Sequence, residues 1–174
     1  DNISGKKAEV YVDTEVHNSG KQMRTVAVET VLADAGDVPV KRVSQQVKLQ
    51  AGESKTVRQQ FAVRNPKLWS PDSPYLYRIQ SRVKAGHEVL DGGVTRVGIR
   101  KAEFKGKDGF WLNGKPFGQL VGANRHQDFA YVGNALPNSQ QWRDAKRLRD
   151  AGCTIIRVAH YPQDPAFMDA CDEM

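Results

Sequence analysis

The chain has 174 residues, 39% of them hydrophobic and 26% charged, with a formal net charge of +6. This is enough apolar material for one sandwich-sized core and part of a second, which excludes a disordered chain. Lys and Arg are interleaved with Asp and Glu along the whole length, so the excess charge reads as solvated surface with no nucleic-acid stripe, and no apolar run approaches the ~20 residues of a membrane-spanning helix.

From Ala8 to Ile99 the text is a series of short alternating segments broken by turn residues, the signature of antiparallel strands with one buried face. Ala8, Val10, Val12, Thr14 and Val16 alternate with polar residues until Asn18-Ser19-Gly20 turns the chain. Further strands are predicted at about Arg24–Leu32, Val38–Leu49 and Thr56–Val63, the last with Val57, Phe61 and Val63 on one face. After a Pro-rich stretch from Asn65 to Pro74, strands near Tyr75–Val83 and His87–Ile99 complete six or seven in all. That is the size and rhythm of an immunoglobulin-like sandwich, without the Cys pair of an antibody domain. Trp69, Tyr75 and Tyr77, in the crossover and the strand after it, read as packing between sheets more than as a sugar platform.

Beyond Ile99 the periodicity changes. Glu103–Leu112 reads as a hairpin, followed by the tight-turn dipeptide Asn113-Gly114 and by an apolar strand at about Phe117–Ala123. That strand ends in the polar cluster Asn124-Arg125-His126-Gln127-Asp128. Asn138–Ala151 is the first helix: Asn138 or Ser139 caps it, Trp142, Ala145 and Leu148 share a face, and Gly152 supplies a left-handed end. Thr154–Val158 is a β-branched run of the kind buried on both faces of a parallel sheet. Asp164-Pro165 then opens a second helix carrying Phe167, Met168 and Cys171 inward. The two cysteines, Cys153 and Cys171, suggest no disulfide framework and are expected in the core.

Strand, helix, strand, helix is a βαβ pattern, and at Met174 it stops in mid-helix. Two parallel strands cannot cover their own faces, so the chain is expected to be a piece of a longer protein. The predicted organisation is mainly β: a sandwich over residues 1–101, then over 102–174 the first βα units of an incomplete (β/α)8 TIM barrel.

Two histidines draw attention because each stands just past the end of a predicted parallel strand, His126 after the first and His160 after the second. Strand C-termini form the active face of a barrel, so both would open onto one pocket. Arg157 lies inside the second strand, where a charge needs a partner, and a carboxylate from another strand would suit it. A single histidine at a strand end is more often a hydrogen-bonded structural residue; two with an arginine leave the structural and functional readings level. No ligand spacing for a metal and no Gly-x-Ser-x-Gly elbow is present.

Five stretches taken together carry a resemblance: Asn65–Tyr77, Val97–Lys101, Phe110–Pro116, Gly122–Asp128 and Arg157–Pro162. In this order the chain resembles glycoside hydrolase family 2, which holds β-galactosidases, β-glucuronidases and β-mannosidases, and most of all the β-galactosidase-like members of Bacteroides-type gut bacteria. The resemblance implies a jelly-roll domain before Asp1, the immunoglobulin-like domain, and then the barrel. It also implies retaining hydrolysis by two glutamates about 5 Å apart, both from later barrel strands, so Glu103 and Glu173 are assigned neither role. By the same resemblance His126 and His160 contact sugar hydroxyls, and Arg157 lies against the nucleophile. Asn124, Arg125 and Asp128 line or brace the pocket.

The implied partner is a β-linked oligosaccharide or glycoside, cleaved by an exo-acting β-glycosidase with β-galactosidase foremost, and this piece alone would be inactive. No cofactor is implied for this stretch; Mg2+ or Na+, a homo-oligomer, and a periplasmic or secreted location in a bacterium are expectations for the longer protein. Gln127 stands where the family commonly has an acidic residue, and Ala159 where it has Ser or Thr. The rival expectation is a non-catalytic β-sandwich module for carbohydrate or protein binding.

Overall fold

A computed structural model describes residues 2–174. They form two compact units, one of residues 2–69 with Tyr75–Ile99, the other of Ser70–Pro74 with Arg100–Met174.

The first unit is an immunoglobulin-like sandwich of six strands: β1 (Lys7–His17), β2 (Arg24–Ala33), β3 (Pro39–Leu49), β4 (Ser54–Arg64), β5 (Tyr77–Ala85) and β6 (Glu88–Val97). One sheet pairs β1 antiparallel with β4, from Lys7 opposite Arg64 to His17 opposite Ser54. The other has the order β3-β2-β5-β6, antiparallel throughout. Because side chains alternate between the faces of a strand, the inward set is every second residue. Two apolar clusters result: Ala8, Leu32, Phe61, Val63, Tyr77 and Ile99 in one, and Val16, Val26, Val28, Val47, Leu49 and Val57 in the other.

Val57, Phe61 and Val63 face inward as expected, and so does Gln59, which the same alternation places between them. Both ends of its amide are engaged. Oε1 accepts from the Thr30 hydroxyl at 2.5 Å and Nε2 donates to the Val28 carbonyl at 3.0 Å, so a buried polar tie joins the two sheets. The Asn18 turn is tied down in a similar way, its Nδ2 donating to the carbonyls of Gln22, Leu49 and Gln50.

The Pro-rich crossover is held by aromatics, as packing requires. Tyr77 hydroxyl accepts from Lys67 N–H at 2.9 Å, Tyr75 hydroxyl accepts from Ala35 N–H at 3.2 Å, and the two rings meet edge-on at 5.0 Å. Trp69 lies on Gly98 so closely that a Cβ there would come within 2.9 Å of the Trp69 side chain.

The second unit opens with a three-stranded meander, β7 (Ala102–Phe104), β8 (Phe110–Leu112) and β9 (Lys115–Gly118). Asn113 and Gly114 make the two-residue turn between β8 and β9 with φ of 53° and 79°, the left-handed pair this dipeptide favours. Then come β10 (Gly122–Arg125), helix α1 (Asn138–Asp150), β11 (Ile155–Val158) parallel to β10, and helix α2 (Pro165–Glu173): the start of a (β/α)8 barrel.

Four expectations need correction in this unit. The single strand predicted at Phe117–Ala123 is divided between β9 and β10, because Gly118 turns the chain at φ 93°; Asn124 and Arg125 therefore lie inside β10 and not beyond it. Neither Asn138 nor Ser139 caps α1. Pro137 occupies the cap position in extended conformation, and its carbonyl accepts from Gln140 and Gln141 to close the first turn. Met168 and Cys171 are exposed and Cys153 is only half-buried, because the inward stripe of α2 is Ala166, Phe167 and Ala170. Finally, β11 is not covered on both faces: only Ile156 reaches the core built by Ala145, Phe167 and Ala170, while Ile155 and Val158 stay exposed.

Other local expectations for the two helices are met. Trp142, Ala145 and Leu148 share the inward face of α1. Gly152, at φ 84°, ends that helix with its N–H on the Arg149 carbonyl and the Cys153 N–H on the Leu148 carbonyl, a complete Schellman motif. Asp164 accepts from Ala166 N–H at 2.8 Å with Pro165 in the first turn of α2. At Gly122 only glycine fits, since a Cβ would sit 1.8 Å from the Ile155 carbonyl oxygen of the neighbouring strand.

Candidate active-site wall

The parallel pairing sets Gly122 opposite Ile155, Ala123 opposite Ile156, Asn124 opposite Arg157 and Arg125 opposite Val158. Alternation then divides these residues into two sets. Ile156 packs among the helices, so Ala123, Arg125 and Val158 share that side, and Asn124 and Arg157 project from the opposite face.

Arg125 is accordingly a brace and does not line a pocket. It is 6% exposed, its guanidinium carbon lies 3.9 Å from the centre of the Phe167 ring, and it donates to Gln141 at 2.8 Å, to Asp144 at 2.9 Å and to the Gln163 side-chain oxygen. These bonds tie the end of β10 to α1 and to the segment before α2. The next residue, His126, therefore leaves the strand from a fixed point.

On the opposite face Arg157 donates to the Asn124 side-chain oxygen at 3.4 Å and to Nδ1 of His160 at 3.3 Å. A guanidinium can only donate, so Nδ1 of His160 accepts, and in the neutral ring the proton sits on Nε2. That leaves Nε2–H free to donate outward. The His126 and His160 rings stand edge to face with centroids 5.3 Å apart, and Tyr161 lies 6.3 Å from His126. Both histidines and Arg157 are exposed, and the Ala159–His160 peptide bond is cis.

Four of the residues singled out from the sequence are thus brought together: His126, His160, Arg157 and Asn124. Asp128 is not joined to them; it is exposed and makes no hydrogen bond or ion pair among the described residues. Gln127 has a larger structural part than its neighbours suggested. Its backbone N–H donates to the Tyr161 hydroxyl at 2.9 Å, its Oε1 accepts from Asp164 N–H at 2.6 Å, and its Nε2 donates to the Asn134 carbonyl at 3.4 Å. It straps the loop after β10 to the loop after β11, and the only sequence signal for this was its place beside His126.

The cluster offers imidazole, guanidinium and amide groups suited to hydroxyl oxygens, and it holds no pair of carboxylates. For Mg2+ or Na+ several oxygen ligands must converge. No group of three or more His, Cys, Asp or Glu stands together among the described residues.

Two family descriptions match the chain: "Glycosyl hydrolases family 2" over residues 1–100, and "Glycosyl hydrolases family 2, TIM barrel domain" over residues 103–174. A β-galactosidase from Thermoanaerobacter pseudethanolicus is 35% identical over the whole chain, which covers 23% of that protein. A putative β-glucuronidase from Formosa agariphila is 36% identical over 99% of the chain and 20% of its own length. Among solved structures, a Bacteroides uniformis β-glucuronidase covalently bound to cyclophellitol-6-carboxylate aziridine superposes with a TM-score of 0.92 at 30% identity, over 99% of this chain and 21% of that one. The chain spans about a fifth of the length of these relatives.

Proposed function

The chain belongs to glycosyl hydrolases family 2, and from that premise we propose that it forms part of a longer retaining, exo-acting β-glycosidase, of which it supplies the substrate-side wall. The observation that carries this reading is the gathering of His126, His160 and Arg157 at the C-terminal ends of two parallel strands, the end at which barrel enzymes act. A module that only bound a partner through its sandwich would have no use for that arrangement.

In this reading a sugar ring rests against the wall in the subsite before the scissile bond. Nε2–H of His160 donates to one of its hydroxyls, and His126 contacts another. Such bonds lower the barrier when they tighten as the ring flattens toward its oxocarbenium-like transition state. The Arg157 guanidinium favours the ionised form of a nucleophilic carboxylate brought against it. Asn124 holds the guanidinium from the other side. Asp128 is proposed to contact substrate from the loop.

Retaining hydrolysis needs two carboxyl groups roughly 5–5.5 Å apart. Glu103 lies in β7 paired with Lys101 and Lys105, and Glu173 lies in the last turn of α2, so neither suits. Both catalytic carboxylates are assigned to other parts of the longer polypeptide. The covalent adduct of the Bacteroides uniformis relative supports a route through a glycosyl-enzyme.

β-Galactosidase is the first choice of activity, supported by the Thermoanaerobacter relative; β-glucuronidase is the second, supported by the Formosa relative. The longer protein, tested on nitrophenyl β-galactoside and β-glucuronide, is expected to turn over the former faster. His160→Ala should lower kcat/KM about 100-fold, and the 174-residue chain alone should hydrolyse neither. Turnover by the isolated chain, or full activity in the variant, would overturn the reading.

A further inference from the structure

His126 is bracketed by two residues that grip the same short segment of the neighbouring loop. Arg125, just before it, donates through Nη1 to the side-chain oxygen of Gln163. Gln127, just after it, accepts from Asp164 N–H at 2.6 Å through Oε1 and donates its own backbone N–H to the Tyr161 hydroxyl at 2.9 Å. All these bonds lie inside the second unit, and Arg125 and Gln163 are buried. The backbone ladder below them ends where Ala159 N–H donates to the Arg125 carbonyl at 2.9 Å; past that point side chains hold the loops together. Neighbouring strands run about 4.8 Å apart, and beyond the end of the ladder the His126 and His160 rings are still only 5.3 Å apart.

Resting on the glycosidase reading above, we infer that Gln127 is a positioning residue for the reaction: it acts by holding the loop that carries His160 against the loop that carries His126. Arg125 anchors the His126 end, since Gln141 and Asp144 of α1 also hold its guanidinium. Gln127 supplies the cross-link. Its Oε1 serves the backbone N–H of Asp164, the N-cap of α2. In a capping box a glutamate or glutamine three residues into the helix serves that donor; here Phe167 stands at that place, and Gln127 does so from the other loop. A misplacement of about 1 Å is enough to weaken a hydrogen bond to a sugar hydroxyl and to slow the reaction many-fold. Because the His160 contact is one that tightens in the transition state, the loss falls on kcat more than on KM.

The test uses the longer enzyme with Gln127→Leu, which removes both polar atoms of the side chain, and Gln127→Glu, which keeps an acceptor for Asp164 N–H. Gln127→Leu should lower kcat about tenfold with KM nearly unchanged, and Gln127→Glu should stay within about threefold of wild type. In the His160→Ala background Gln127→Leu should cost less than about twofold more, because the group it positions is gone. Tyr161→Phe removes the acceptor of the Gln127 N–H and should show the same His160-dependent loss in kcat; it decides the matter if Gln127→Leu does not fold. In the 174-residue chain, a nuclear Overhauser contact between the two imidazole rings should be present in wild type and Gln127→Glu and lost in Gln127→Leu. A ring contact that survives in Gln127→Leu, or a kcat loss that persists undiminished in the His160→Ala background, would overturn the inference. A wild type inactive on both nitrophenyl glycosides sinks the glycosidase reading and this role with it, whereas an active wild type matched by Gln127→Leu sinks the role alone.

Discussion

Arg125 donates to the carboxylate of Asp144 across 2.9 Å, and the bond fastens the last residue of β10 to the middle of α1. The guanidinium side is 5% exposed and the carboxylate side 24%, so the pair is shielded far more than a surface ion pair. Removing one partner from such a pair strands a buried charge, at a cost of about 3 kcal/mol or more. Asp144→Ala should therefore destabilise the second unit more than Arg125→Met, which removes the charge and keeps apolar contact with Phe167. Urea unfolding followed through hydrogen exchange of the α1 amides measures both, and the reverse order would contradict the assignment.

In the sandwich, Gln59 and Thr30 satisfy one another in the interior. Thr30→Val leaves an amide oxygen without a donor and should cost about 1–3 kcal/mol. Thr30→Val with Gln59→Leu should cost less than the sum of the single changes, since both ends of the bond are removed together, although the Val28 carbonyl then loses its donor. A double-mutant cycle in urea reads the coupling directly; strict additivity would show that the bond contributes nothing.

Asp13 on β1 faces Arg58 on β4, which donates to it through both Nε and Nη2 at 2.7 and 2.6 Å. Those hydrogen bonds, with the guanidinium charge, hold the carboxyl below its ordinary range. A carboxyl whose pKa is depressed by folding stabilises the fold above its unfolded pKa and loses that contribution as pH falls through the folded value. The stability gap between wild type and Asp13→Asn should accordingly be present at neutral pH and close in acid, below about pH 4. It should also shrink in salt, because the pair is exposed. A gap that widens on acidification would reverse the sign of the argument.

Arg157→Lys retains the charge and loses the planar fork that reaches Asn124 and His160 at once. On the isolated chain, 15N spectra of the imidazoles should show His160 with its proton on Nε2 in wild type and a mixture of tautomers in the variant. In the longer enzyme the same change should lower kcat/KM at least about tenfold. Identical tautomer populations would mean that Arg157 does not orient the ring.

The parts of the fold that were legible in the sequence are those set by local chemistry. Asn113-Gly114 specified its turn, Gly152 the end of α1 and Asp164-Pro165 the start of α2, because each depends on the conformational preference of one or two residues. The pairing of His126 with His160 was legible from strand ends alone. What stayed hidden depended on tertiary partners. The alternation in β4 turns Gln59 inward, but what satisfies its amide there was hidden until Thr30 stood opposite it. Arg125, adjacent to His126, could not be assigned to the helix side before the register with Ile156 was known. The orientation of α2 followed from Phe167 and Ala170 rather than from the more hydrophobic-looking Met168.

Gln127 sets the spacing between the two loops that carry the histidines, and it does so with a primary amide, one end giving a hydrogen and the other receiving one. An ionised carboxylate in the same place could only receive. Because the amide does not titrate, the strap itself keeps the same pair of hydrogen bonds, and so the same length, in acidic and in neutral media.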